Sequence, residues 1–360
     1  MPQIKPDIES FARIKLVGVG GSGCNAVSQM VTKKIKGVEF VGVNTDAQAL
    51  HFCKAPEKIL IGKNTTRGLG AGMNIELGKE AIEESREEVE ETLKGADMVF
   101  VSCGLGGGTG TPGAPVIAGI ARSLGALTIA IVTTPFSFEG QKRAEIAEGG
   151  LADLRDQIDS LIVIPNDKVL GIIDEKTTLL NAFSIIDDVL AQGVQAISDI
   201  IVKPGIINVD FADVKTIMKD SGWALMGIGR AKGEKRMENA AKKAVNSPLL
   251  EVSIDGAKGI LFTISGGEDL TMREVDEGAR FITKAADPEA QIIFGAVIDE
   301  SLRKGEVKTT VIATGLNNIP EIKPKNHIQA PKVEEKKPEE DEWDIPAFLR
   351  KRGSKKREKK

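Results

Sequence analysis

The sequence predicts an α/β fold: a Rossmann-like, doubly wound parallel sheet, then a long central helix and a smaller C-terminal α/β domain. Three observations predict it. Hydrophobic strands alternate with helices along most of the 360 residues, three glycine-rich stretches follow strands or open helices, and polar residues gather where strands end. The composition, 41% hydrophobic, suffices for two ordinary cores. No apolar run approaches a membrane span and the first ten residues lack a signal-peptide pattern, so a cytoplasmic protein is expected. Cys24, Cys53 and Cys103 have no metal-ligand spacing, which argues against a zinc site or a disulfide framework. A net charge of −4 gives no support to a nucleic-acid partner.

From Ile14 to Val27 the chain reads strand, glycine turn, helix, and Gly18, Gly20 and Gly23 satisfy G-x-G-x-x-G. The next strand, Val38 to Val43, ends in Asn44-Thr45-Asp46, with an acid that could meet a ribose. Gly68-Leu69-Gly70-Ala71-Gly72 precedes a long charged helix of roughly Asn74 to Leu93; alone it could be a turn and nothing more. The strand Asp97 to Cys103 then runs into Gly104-Leu105-Gly106-Gly107-Gly108-Thr109-Gly110-Thr111. So many missing Cβ atoms leave backbone N–H groups free to curl round an anion, and the following helix adds its positive end. This is a phosphate cradle, with Thr111 expected as N-cap and Pro112 as first helical residue. A flexible linker would not sit so tightly between a buried strand and a capped helix. The strand Leu127 to Val132 leads to Thr133 through Gly140, where Glu139 and Arg143 are four apart and could simply form a salt bridge worth about 0.3 kcal/mol. A further strand, Ser160 to Ile164, ends in Pro165-Asn166-Asp167.

A dinucleotide needs only the first glycine loop, so the extra loops argue for a nucleoside triphosphate. A P-loop is excluded because G-x-x-x-x-G-K-[ST] is absent. Charge neutralisation then falls to backbone amides, helix dipoles, Arg143, and a magnesium ion held mostly by phosphates and water, with no metal site made of side chains. On the long apolar helix of about Thr178 to Ile201, Phe183 and Asp187 share a face. A ring there can lie on a purine while the carboxylate accepts from N1–H and N2–H2 of guanine; against adenine it would meet a lone pair. The alternative puts Phe183 in the core and Asp187 on the surface. Asp210 and Asp213 open the next helix, and capping plus the helix dipole would by themselves explain both. Six further elements, four strands and two helices from Ala224 to Thr314, make the second α/β region, after which composition turns to Pro, Lys and Glu. Pro331 to Glu342 reads as a disordered linker, and Trp343 to Leu349 as apolar anchors that fold on a partner, followed by a basic end with weak affinity for anionic membrane.

These motifs together resemble the FtsZ family, the bacterial tubulin-like cell-division GTPases, from about Arg13 to Gly315 and again in the tail. The residues that carry the resemblance are Gly20 to Asn25, Asn44-Thr45-Asp46, Gly68 to Gly72, Gly106 to Thr111, Pro135-Phe136, Asn208 to Asp213 and Trp343 to Arg352. The resemblance implies an extension over 1–12, a GTP-binding domain over 13–177, a central helix over 178–202, a catalytic loop and connecting helix over 203–223, a C-terminal domain over 224–316, a linker over 317–342 and a partner-binding peptide with a basic tail over 343–360. It implies a GTPase that stacks head to tail into protofilaments and forms the ring at the midcell division site. Gly21, Ser22, Gly23, Cys24 and Asn25, with Gly108, Thr109 and Gly110, would hold the phosphates of GTP or GDP; Ala71 and Gly72 would sense the γ-phosphate. Glu139 and Arg143 would meet ribose and phosphate, Asn166 and Asp187 would read guanine, and Phe183 would lie on its face. Asn208, Asp210 and Asp213 would reach the nucleotide of the neighbouring subunit and position the attacking water. The tail would bind membrane tethers and division regulators such as FtsA or SepF, so contact with membrane would be indirect. Departures are Pro112 for the usual glycine, Ile75 for proline, Asp188 where asparagine is common, leaving either acid to read the base, and Trp343. A monomeric NAD-dependent enzyme built on Gly18, Gly20 and Gly23 is the competing reading.

Overall fold

The computed structural model describes residues 12–171, 173, 176–202, 207, 209–247, 253–299 and 302–316. Asn208, most of the extension, the linker and the tail peptide therefore lie outside the described residues. The first half runs β1 (Ile14–Val19), α1 (Gly20–Thr32), β2 (Val38–Asn44), α2 (Ala47–Phe52), β3 (Glu57–Leu60), α3 (Ile75–Glu84), α4 (Arg86–Leu93), β4 (Met98–Gly104), α5 (Gly110–Ser123) and β5 (Leu127–Thr134). It continues through α6 (Gln141–Arg155), β6 (Ser160–Pro165), α7 (Asn166–Leu170), the long α8 (Leu179–Val202) and α9 (Phe211–Met218). Then follow β7 (Gly222–Lys232), α10 (Arg236–Val245), β8 (Gly259–Gly266), α11 (Met272–Thr283), β9 (Gln291–Ile298) and β10 (Glu306–Thr314).

All ten strands share one sheet, in the order β3-β2-β1-β4-β5-β6-β7-β10-β8-β9. The first six are parallel, and only β10 runs against its neighbours. Helices on both faces explain why the strands read as unbroken apolar runs. In β4, Met98 and Phe100 face the core shared with α1 and α8, while Val99, Val101 and Cys103 face that shared with α5 and α6. A third core lies between the last strands and α10 and α11. The smaller α/β region is joined by a sheet edge as well as by α8: β7 pairs with β6 over only three residues, Gly222 to Ala224, then along its length with β10.

Two local expectations are corrected. The charged helix is two, α3 and α4, broken at Ser85, whose buried hydroxyl accepts the Gly62 N–H at 3.2 Å instead of facing water. And α5 begins at Gly110, so Thr111 is helical, not an N-cap, and Pro112 is the third helical residue. Proline is tolerated there because the first four N–H groups of a helix have no partner within it. The Thr111 hydroxyl instead accepts the Gly106 N–H at 2.9 Å, bracing the loop that precedes it.

Candidate nucleotide site

The strand order reverses direction between β1 and β4, and in doubly wound sheets that switch point, at the carboxyl ends of the strands, is where ligands collect. The loop after β1 and the loop after β4 meet there. Gly20 has φ of +73°, which a side chain would strain, and it starts α1 with no side-chain cap on the Val19 position. A Cβ on Gly23 would stand 2.5 Å from the Ser102 carbonyl, so glycine is what lets α1 press onto β4. Gly21 and Gly107, by contrast, border open space. Neither α1 nor α5 carries an acid in its first turn, and α5 has no side-chain cap either. Both helix ends thus present bare positive poles to one crevice.

Not every N–H of the cradle is free. Gly108 donates to the Gly72 carbonyl at 2.8 Å and Leu105 to that of Thr133 at 2.9 Å. The first of these fastens the third glycine loop to the cradle, bringing the buried Ala71 and the open Gly72 (φ +56°) alongside. Thr109 is joined to Thr45 through their hydroxyls at 2.7 Å, which ties the end of β2 to the same crevice.

Beyond β5 and β6 the crevice is aromatic. Phe183 is 43% exposed and meets Phe136 edge to face at 5.7 Å, with Phe138 stacked on Phe136. One turn further along α8, Asp187 is half-buried, and burial together with the neighbouring Asp188 charge pushes its carboxyl up to about 7. The alternative of a core Phe183 and a surface Asp187 is therefore inverted. Asp188 is engaged elsewhere, accepting from Gln29 at 2.9 Å and pairing with Lys33 at 2.6 Å. Asn166 opens α7, 7% exposed, with its Oδ1 unpartnered among the described residues. Glu139 and Arg143 do form the salt bridge their spacing allows, at 2.6 Å, and Glu139 also accepts the Phe136 N–H.

Asp210 and Asp213 are not part of this crevice. The 24 residues of α8 rise about 36 Å, ending with Val202 packed on Gly37, just ahead of β2. The end of α9 bonds to residues at the opposite strand ends: the Ser160 hydroxyl donates to the Met218 carbonyl and that of Thr314 to the Ile217 carbonyl. Both acids, at the other end of the same short helix, are exposed. Asp210 occupies the N-cap position of α9 yet makes no side-chain capping bond, so the capping explanation fails for it.

A model of the Tubulin/FtsZ family GTPase domain matches residues 13–174, and one of the FtsZ family C-terminal domain matches 222–317. The chain is 47% identical to an FtsZ from M. jannaschii solved as an empty dimer, covering 86% of this chain and 89% of that one, with a TM-score of 0.82. The chain belongs to the FtsZ family. It is a tubulin-type GTPase, and the NAD-enzyme reading is overturned. Likeness in fold extends to CetZ1 of Haloferax volcanii, solved as a GDP-bound monomer, at 22% identity over 86% of this chain and 96% of that one, TM-score 0.74. CetZ2 of the same organism, solved as a GTPγS-bound protofilament, is 22% identical over 84% of this chain and 92% of that one, TM-score 0.72.

In this FtsZ-family chain, residue-by-residue reading underrated the end of β2. Asp46 caps α2 through one carboxylate oxygen, accepting from Gln48 at 2.8 Å and Ala49 at 3.0 Å. Its neighbours Asn44 and Thr45 are the buried polar residues there, and the Asn44 side-chain nitrogen has no partner among the described residues. Their position at a strand's carboxyl end was the available signal. A Cβ on Gly108 would stand 2.8 Å from backbone atoms of Gly72 and Asn74. Gly108→Ala is therefore expected to part the two loops and weaken GTP binding by about tenfold or more, read by titration with a fluorescent GTP analogue.

Proposed function

We propose that this chain polymerises head to tail with GTP, forms the cytokinetic ring at the division site, and hydrolyses GTP where two subunits meet. One observation carries the reading: Asp210, which makes no capping bond, and the exposed Asp213 open α9, the helix whose far end bonds to the strand ends opposite the glycine crevice. Stacked copies would bring one subunit's acids to the next subunit's nucleotide, and such a heterologous contact does not close. The dimer and protofilament in which relatives were solved support self-association.

In this reading residues 13–177 bind GTP, with Gly21 to Asn25 and Gly108 to Gly110 around the phosphates and Ala71 and Gly72 beside the γ-phosphate. Asp187 reads guanine because Asp188 is held by Gln29 and Lys33. Phe183 covers the base, the orphaned Asn166 Oδ1 accepts from it, and Glu139 and Arg143 border the ribose. The cradle's donors are backbone N–H groups, and among the described residues no three His, Cys, Asp or Glu side chains converge. Magnesium would thus sit on phosphate oxygens and water and supply charge neutralisation there. The remaining chemistry is positioning, with Asp210, Asp213 and Asn208 holding the attacking water in line.

A shared site predicts a GTPase rate that rises steeply above a threshold protein concentration, tracked beside light scattering; a rate strictly proportional to concentration would reject it. The tail peptide at 343–360 recruits tethers such as FtsA or SepF. Its deletion is expected to leave GTP-driven scattering intact and abolish tether binding in a pull-down.

A further inference from the structure

Thr45 directly follows β2, and three stretches of chain meet on it. Its carbonyl accepts the Thr66 hydroxyl at 3.2 Å and the Gly70 N–H at 3.2 Å, both from the segment that carries the third glycine loop. Its hydroxyl lies 2.7 Å from that of Thr109 in the cradle. Thr109 in turn lies against the start of α1, where a Cβ on Gly20 would stand 3.6 Å from the Thr109 Cβ. Burial decides which of the two hydroxyls donates, since each has one proton. Thr45 is fully enclosed, at 0% exposure, and Thr109 is the one partner of its hydroxyl among the described residues; Thr109 itself is only half-buried. Were Thr109 the donor, the Thr45 proton would be shut inside the protein with no acceptor, an arrangement that folded proteins avoid. Thr45 therefore donates, Thr109 accepts, and the Thr109 proton stays free. Threonine at the N-cap of a helix ordinarily accepts from the first turn, yet Thr109, at the N-cap of α5, makes no such bond. Its oxygen is turned to Thr45 instead.

From this geometry we propose that Thr45 is a positioning residue for the nucleotide: by donating to Thr109 it turns the Thr109 proton outward, to a phosphate oxygen in the crevice. A hydroxyl that accepts one hydrogen bond is a stronger donor of the next, so the relay strengthens the contact that it aims. Thr45 does not touch the nucleotide in this arrangement and works only through its neighbour. Its main-chain carbonyl meanwhile holds the segment of Ala71 and Gly72 to the same strand end, so one residue sets the spacing of two loops. The proposal rests on the phosphate role proposed for Thr109, whereas the order of donor and acceptor does not.

The test is a double-mutant cycle on the full chain, with GTP and GDP affinities read by competition against a fluorescent GTP analogue and melting followed without nucleotide. Thr45→Val, close to threonine in shape and lacking the hydroxyl, should weaken both nucleotides about fivefold to tenfold and melt no lower than the parent. Thr45→Ser, which keeps the hydroxyl, should recover most of the affinity. Thr109→Val should weaken binding about tenfold or more. Adding Thr45→Val to it should change nothing further, because a residue that acts through Thr109 then has no group to act on. Losses that multiply in the double variant, parent-like binding by Thr45→Val, failure of serine to restore binding, or a lowered melting point in Thr45→Val would overturn the proposal. Parent-like binding by Thr109→Val would instead reject the phosphate role of Thr109, and the proposal would fall with it.

Discussion

An Asp213→Ala protein is expected to bind GTP with undiminished affinity and to turn it over at least about a hundredfold more slowly, the range typical for losing a group that positions or deprotonates a nucleophile. The two effects separate because Asp213 sits on α9, whose far end bonds to the strand ends opposite the glycine crevice. The decisive measurement mixes two crippled proteins. Asp213→Ala keeps an intact cradle, and Gly108→Ala keeps intact acids. In a filament the second can offer its Asp213 to nucleotide held by the first, so a mixture should hydrolyse GTP faster than either alone. Additive rates, or normal turnover by Asp213→Ala, would show that each subunit works unaided.

Asp187→Asn is expected to lower GTP affinity by about tenfold to a hundredfold, the usual worth of hydrogen bonds to a charged group, and to change its pH dependence. Burial and Asp188 hold the free carboxyl at about 7, whereas guanine's two donors favour the ionised form, so binding expels a proton from the acid. Affinity of the parent protein should therefore be full above pH 7 and decline as pH falls below it; that of the Asn variant should be flat. Stability without nucleotide runs the other way. An acid whose folded value is raised binds its proton more tightly folded than unfolded, so its contribution is present below pH 3.8 and is lost as pH rises to about 7. At pH 8 the nucleotide-free Asn variant should melt higher than the parent while binding GTP worse. A variant that loses both would point to a structural role for Asp187.

The crevice between the glycine loops was legible in the sequence because its signals are local. Glycines before helices, polar residues at strand ends and a Phe183–Asp187 spacing of one helical turn survive without tertiary context. What escaped depends on distant partners. Asp188 is engaged by Gln29 and Lys33, some 155 residues away in sequence, and whether Asp210 caps α9 is decided by a side-chain direction. Ser85 looked like one polar residue in a charged helix until Gly62 claimed its hydroxyl. Thr111 and Pro112 mimic a helix start closely, yet a loop needing an acceptor for the Gly106 N–H drew the threonine inward. The join between β6 and β7 could not be foreseen, since three paired residues leave no periodic trace.

That short join has a mechanical consequence. Six register pairs bind β1 to β4, seven bind β4 to β5 and six bind β5 to β6, but only three bind β6 to β7. Torque applied between the two ends of the molecule therefore falls on that short seam and on the α8 packing beside it, while the strands from β1 to β6 stay one slab. The proposed filament, pulled or bent along its length, would flex inside each subunit and spare the glycine crevice.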